Sequence, residues 1–177
     1  EWSLILITLG IATMLITAFF AIISTTLKEL LAYSTASHIG LMLIGFGIPL
    51  TLTDVPQSLG FASGSFHLFN HALFKAALFF IAGIIACQVG ITTISEIKGL
   101  RKKLPLTAGF AVFASLCMAG IPPTSGFYSK ELLFQGIYAV ANNYGGISWV
   151  LPLLTIIASA FAVVYSLKFV MIFFGTV

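Results

Sequence analysis

Charge is scarce in this sequence. Only 7% of its 177 residues are charged, against about 25% in soluble domains. Hydrophobic residues make up 59%, and the mean hydropathy is +1.12. That balance excludes a soluble globular domain and implies an integral membrane protein with several spans. The eight basic residues are too few, and too concentrated around Lys98–Lys103, for a nucleic-acid surface. The two cysteines, Cys87 and Cys117, stand alone in apolar runs and read as small core residues. Three histidines without nearby cysteines or paired acids do not make a metal site. Gly45-x-Gly47 runs into Ile48-Pro49 and lacks the context of a phosphate loop. No serine, histidine and acid arrangement is visible, so neither catalytic chemistry nor a cofactor is expected in this chain. The sequence opens on Glu1-Trp2, with neither an initiating Met nor a signal-peptide n-region, and reads as a piece of a longer protein.

Long apolar runs are abundant. Five segments stand out, at about residues 2–24, 30–50, 61–87, 104–141 and 147–175. Leu27-Lys28-Glu29 leads into the second. Pro105 and Pro152 fall where a first-turn proline is tolerated. The fourth segment is too long for one uninterrupted span. Gly120-Ile121-Pro122-Pro123-Thr124-Ser125-Gly126 interrupts it, because two prolines remove two amide donors and clash with the preceding turn. Two half-helices are expected, at about 104–119 and 127–141. Broken backbone at membrane depth is tolerated only inside protein or against water, and it usually points to a transport site. An ordinary loop between two short spans is the alternative. The shortness of each half and the lack of charge at the break weigh against it.

The third segment carries His67, His71 and Lys75 at positions i, i+4 and i+8. A helix drifts only about 40° per four residues, so the three side chains share one stripe about 12 Å long. Titratable groups at membrane depth are costly to bury and normally face a bundle interior or a wet cavity, along an ion or proton path. The alternative is a lysine that snorkels and histidines that only bond neighbouring helices. Three such groups on one stripe favour the path. Lys130, four residues past Gly126, is expected in the first turn of the second half-helix. The positive field there and partial desolvation would both work against a permanent charge, which suits a relay. Glu131 is adjacent and is a candidate partner, although neighbouring residues do not share a helix face. On the second segment Ser34 and His38 are four apart, with Ser37 between them, and could hold waters for the path. Lys28 is either an interfacial anchor or a member of the path. Gly60-x-x-x-Gly64 is a weak pattern for close helix packing.

Loop charges suggest an orientation. The loop at 51–60 has Asp54 and no basic residue, and the loop at 142–148 has no charge. Lys28, and Lys98, Arg101, Lys102 and Lys103 beside Glu96, lie in loops that five alternating spans put on one side. The positive-inside rule makes that side cytoplasmic, with the N-terminus outside and the C-terminus inside.

Three stretches resemble a known superfamily. Leu27-Lys28 with Leu31-Ala32-Tyr33-Ser34-Thr35-x-Ser37-His38-x-Gly40 is similar to a signature of antiporter-like membrane subunits. These occur in complex I, membrane-bound hydrogenases and Mrp-type cation/proton antiporters. His67-Leu68-x-Asn70-His71-Ala72-x-Phe74-Lys75-Ala76-x-Leu78-Phe79 resembles a second motif. Met118-Ala119-Gly120-Ile121-Pro122-Pro123-x-x-Gly126-Phe127-x-Ser129-Lys130-Glu131 resembles the broken-helix motif, and its wording, with His at 38, is most similar to the Mrp A-type subunit. Thr26 departs from the acid often found before Leu-Lys.

The resemblance implies an all-α integral membrane fold of five transmembrane helices, the fourth discontinuous. Residues 1–177 would be a single transmembrane domain, the second of two inverted repeats. It implies that Lys130 is the terminal lysine of the broken helix, Lys75 the central lysine, and His67 and His71 the adjoining histidines of a water wire. The function implied is proton translocation in a multisubunit Mrp-type Na⁺/H⁺ antiporter of a prokaryotic cytoplasmic membrane. Its partners would be other membrane subunits, the lipid bilayer, protons and Na⁺ as candidate exchanged ion. A proton-pumping subunit of a complex I-like or hydrogenase oxidoreductase, in a prokaryotic or mitochondrial inner membrane, is the alternative. A structural membrane scaffold is the second alternative.

Overall fold

The computed structural model describes residues 2–48 and 57–175. Asp54 and most of the loop at 51–60 lie outside the described residues. The chain is helical: α1 (Trp2–Ile23), α2 (Leu27–Gly47), α3 (Gln57–Val89), α4 (Pro105–Ala119), α5 (Ser125–Tyr144) and α6 (Val150–Phe174). Single 3-10 turns at Leu100–Lys102 and Gly146–Trp149 lead into α4 and α6. Among the described residues four helical stretches, Trp2–Ile23, Leu27–Gly47, Gly60–Val89 and Gly146–Phe174, are long and apolar enough to cross a bilayer. Pro105–Ala119 is a shorter apolar helix. Its 15 residues give about 22 Å, short of a hydrocarbon core of about 30 Å.

Local chemistry places the helix ends. Thr26, where the signature it resembles often has an acid, caps α2. Its hydroxyl accepts from the Glu29 N–H at 3.3 Å, while the Glu29 carboxylate accepts from the Thr26 N–H at 3.1 Å. A cap of this kind is worth about 1 kcal/mol. Pro105 opens α4, where a missing N–H costs nothing. α4 stops at Gly120, whose φ of 78° lies in the left-handed region and whose N–H folds back on Leu116 and Cys117. Pro152 sits in the first turn of α6, as expected.

Small residues decide how the helices approach. A Cβ on Gly40 would lie 2.6 Å from the Gly10 carbonyl oxygen and 2.6 Å from the Met14 nitrogen, so α1 and α2 touch backbone to backbone. Gly64 serves the α2–α3 contact, since a Cβ there would strike the Phe46 ring at 2.8 Å. The backbone contact of Gly10 with Gly40 lies outside the Gly60-x-x-x-Gly64 pattern.

The bundle has two apolar clusters. One contains Leu30, Leu78, Ile85, Ala111 and Phe169, and the other Ile7, Ile44, Leu133, Ile137 and Leu151. Between them on α2, α3 and α5 lie the polar positions: Ser34 to His38, His67 to Lys75, and Ser129 with Lys130. The outer faces are apolar, as lipid-facing surface should be, with Phe80 and Leu106 among the most exposed side chains. At one end the loop at 90–104 is stitched to the α1–α2 turn. Leu27 N–H donates to the Thr92 carbonyl at 3.2 Å and Ile94 N–H to that of Thr25 at 2.9 Å. Arg101 stacks on the Phe174 ring at 5.2 Å. Lys28 and the Lys98–Lys103 group therefore share one end of the bundle.

Candidate functional site

The stripe on α3 faces inward. His67, His71 and Lys75 are 0%, 6% and 4% exposed, whereas Leu68, Phe69 and Leu73 between them are 51%, 63% and 57% exposed. The lysine does not snorkel. Its ammonium donates to the Leu31 carbonyl at 3.2 Å and in a short bond to the Ser34 hydroxyl. Ser34 in turn donates to the Leu30 carbonyl at 2.6 Å. One turn further along α2, His38 meets the stripe. Its Nδ1 lies 3.0 Å from His67 Nε2, and the His67 Nδ1 lies 2.9 Å from the Ser129 hydroxyl of α5. The His71 ring centre is 5.1 Å from that of His38. Both His71 nitrogens, and Nε2 of His38, are buried without a hydrogen-bond partner. Unpartnered buried polar atoms of this kind are rare. Ser37 turns the other way and donates to the Met14 carbonyl at 3.0 Å.

Lys130 corrects an expectation. Because α5 begins at Ser125 rather than near residue 127, Lys130 falls in its second turn, not its first. Side chains on a helix lean towards its N-terminus, and this one reaches back across the break. Its ammonium donates to the carbonyls of Met118 at 3.1 Å and Ala119 at 2.9 Å, the last of α4. Those carbonyls have no partner within their own helix and form the negative end of its dipole. The amine is therefore held by the C-terminal end of one helix, beside the N-terminus of the next. Gly120 makes this reach feasible, since a Cβ there would lie 2.7 Å from Cδ of Lys130. Gly126 is tighter still, because its Cβ would overlap the Cys117 carbonyl oxygen at 1.8 Å. Pro122 and Pro123 lie in the turn between the helices, where Thr124 N–H bonds the Ile121 carbonyl.

An ammonium has three protons to donate. Each of the two buried lysines gives two to fixed oxygens, which leaves one to exchange. Between Lys130 and His38 lies a cavity of about 10 Å³, lined also by Ser37, Ser159 and Tyr165, at the lower limit for one water.

Two candidates lie elsewhere. Glu131 is exposed, and its carboxylate accepts from Gln135 at 3.4 Å rather than pairing with Lys130. Lys28 is exposed at the basic end. Sequence reasoning also passed over three residues. Ser129 and Tyr165 carry no signal without the partners that approach them. Lys168 does carry one, as a lone cation in an apolar segment. Its ammonium donates to the carbonyls of Ile22 and Ser24 at 2.6 Å each, closing the C-terminal end of α1.

Two buried lysines and three buried histidines gathered on α2, α3 and α5 form an uncommon cluster for a bundle of apolar helices. Residues 1–161 match the family described as NADH:quinone oxidoreductase/Mrp antiporter, transmembrane. The chain belongs to this family. It is 41% identical over 177 residues to the A/B subunit of a probable K⁺/H⁺ antiporter of Rhizobium meliloti (strain 1021), covering 98% of this chain and 17% of that protein. It is 38% identical over 176 residues to the A1 subunit of the Na⁺/H⁺ antiporter of Staphylococcus haemolyticus (strain JCSC1435), covering 91% of this chain and 22% of that one. The chain thus spans only about a fifth of the length of these relatives. Among solved structures it superposes on the Mrp complex of Dietzia sp. DQ12-45-1b with a TM-score of 0.81 and 33% identity, over 96% of this chain and 18% of that one. Respiratory complex I from Thermus thermophilus matches with a TM-score of 0.83 and 25% identity, over 99% and 34%.

Proposed function

We propose that the protein carrying this chain is the proton-translocating subunit of a multisubunit cation/proton antiporter of Mrp type. In this reading the chain is the second of two five-span inverted repeats, and α4 and α5 are the halves of its discontinuous fourth span. Protons move between Lys75 and Lys130 by way of His71, His38 and His67, with water in the gaps. The exchanged cation is Na⁺ or K⁺, after the names of the relatives. Other membrane subunits complete the path. The cluster of basic residues at one end of the bundle supports a cytoplasmic face there, with the N-terminus of the segment outside.

The observation that carries the reading is the contact of His38 with His67 and of His67 with Ser129, at the level of the break. It ties the stripe on α3 to the helix that bears Lys130. The second reading keeps the same path in a redox-driven complex, and the match to respiratory complex I favours it as the alternative.

Lys75→Met tests the relay. It keeps the length of the side chain and removes the exchangeable proton. Proton-coupled cation transport in vesicles should fall to background while the complex still assembles. Normal transport by an assembled mutant would return the stripe to a packing role.

A further inference from the structure

We infer that Ser129 is a positioning residue that sets the hydrogen order of the buried histidine pair. It holds the proton of His67 on Nδ1 and that of His38 on Nδ1, and leaves His38 Nε2 as the nitrogen of the pair open to receive a proton. The functional meaning rests on the relay reading above, but the hydrogen order does not.

The order follows from one carbonyl. The Ser129 hydroxyl lies 3.0 Å from the Gly126 carbonyl oxygen and 2.9 Å from His67 Nδ1. A carbonyl can only accept, so the arrangement in which both contacts are hydrogen bonds gives the single hydroxyl proton to Gly126. The oxygen of Ser129 then offers only lone pairs to His67, whose Nδ1 must carry a proton. A neutral imidazole has one donor and one acceptor, so His67 Nε2 accepts. His38 Nδ1, 3.0 Å away, must be the donor. That leaves a lone pair on His38 Nε2, the nitrogen that is buried and without a partner. The reverse order would take the hydroxyl away from Gly126 and bury an N–H at His38 Nε2 with nothing to accept it. Orphaned buried donors are rarer than under-used acceptors.

The order gives the pair a direction. A proton that reaches His38 Nε2 releases the Nδ1 proton to His67 Nε2. His38 ends neutral and His67 ends as an imidazolium. Its Nδ1–H is held by Ser129 and its Nε2–H by His38. The proton count is conserved, and Ser129 accepts the same bond before and after. The titratable groups that act on the pair are His71, with its ring 5.1 Å from that of His38, Lys130 and Tyr165 around the shared cavity, and Lys75.

The test uses the full-length protein in its assembled complex, labelled with ¹⁵N-histidine and reconstituted in lipid. The signals are assigned from their loss in His38→Gln and His67→Gln. Solid-state NMR separates the two neutral tautomers, because a protonated and a bare ring nitrogen resonate far apart. Wild-type protein should show both histidines protonated on Nδ1. Ser129→Ala should move His67 mostly to the Nε2-protonated form, and Ser129→Thr should restore the wild-type pattern. Transport should fall about tenfold or more in Ser129→Ala, the scale of one lost hydrogen bond to a charged group, and recover in Ser129→Thr. An Nε2-protonated His67 in the wild type would overturn the proposal, as would an unchanged tautomer in Ser129→Ala. If Ser129→Ala fails to assemble, the wild-type spectrum alone decides. A tautomer change with wild-type transport would uphold the order and refute the relay instead.

Discussion

Lys130→Arg separates a residue that exchanges a proton from one that only supplies charge. The lysine ammonium sits on the last two carbonyls of α4, Met118 at 3.1 Å and Ala119 at 2.9 Å, and its third N–H is uncommitted. A neutral amine keeps two N–H groups, so it can hold both carbonyls after the third proton has gone. Loss of that proton therefore need not break the contacts that span the helix break. Arginine supplies enough donors to satisfy the same carbonyls and keeps the charge, but it does not deprotonate in proteins. With a reference pKa of about 12.5 or above, its neutral fraction at pH 8 is about 3 × 10⁻⁵ or less. A step that needs the neutral form would slow by the ratio of that fraction to lysine's own, at least about a hundredfold on reference pKa values. Lys130→Met removes the donors altogether and leaves two buried carbonyls unbonded, at about 1–3 kcal/mol each, so some loss of stability is expected there. The assay is cation-dependent proton movement in vesicles at matched levels of assembled complex, with thermal stability measured in parallel. Lys130→Arg should assemble with near-normal stability and transport at background. Lys130→Met should be less stable and equally inactive. Wild-type rates in Lys130→Arg would refute proton exchange at this residue and leave the ammonium as a clamp between α4 and α5.

Two further outcomes follow from the fold. Gly126→Ala should disrupt the break, because its Cβ would lie 1.8 Å from the Cys117 carbonyl oxygen. The cost should exceed the roughly 1–3 kcal/mol of ordinary overpacking, since backbone must move, and reduced thermal stability or assembly would report it. In a background lacking Cys87 and Cys117, a cysteine at Asn143 should react with an impermeant thiol reagent from outside, and one at Lys102 only from the cytoplasmic side. Both positions are exposed and lie at opposite ends of the bundle. The reverse pattern would invert the topology read from Lys98–Lys103.

The sequence by itself determined the class of the fold and named most of the residues that gather in the candidate site. Helices in a hydrocarbon medium must satisfy their own backbone, so apolar runs mark them directly. A titratable side chain must turn away from lipid, so the periodicity of His67, His71 and Lys75 was enough to give their facing. Gly120, Pro122, Pro123 and Gly126 announced the interruption through local sterics alone. By the same rule Lys168 was legible and was passed over.

Tertiary structure decided which polar atoms meet. The pairing of His38 with His67, and of His67 with Ser129, depends on how close α2, α3 and α5 lie. That separation is set by Gly45 and Gly64 fitting against Leu133 and Phe46. Lys130 shows the difference most clearly. Its position in the sequence suggested the field of a helix N-terminus. A start of α5 at Ser125 and a side chain that leans backwards placed its ammonium against the carbonyl end of α4 as well. The field at a flexible cation depends on where its tip comes to rest, about 6 Å from its backbone, and only the packed break fixes that point.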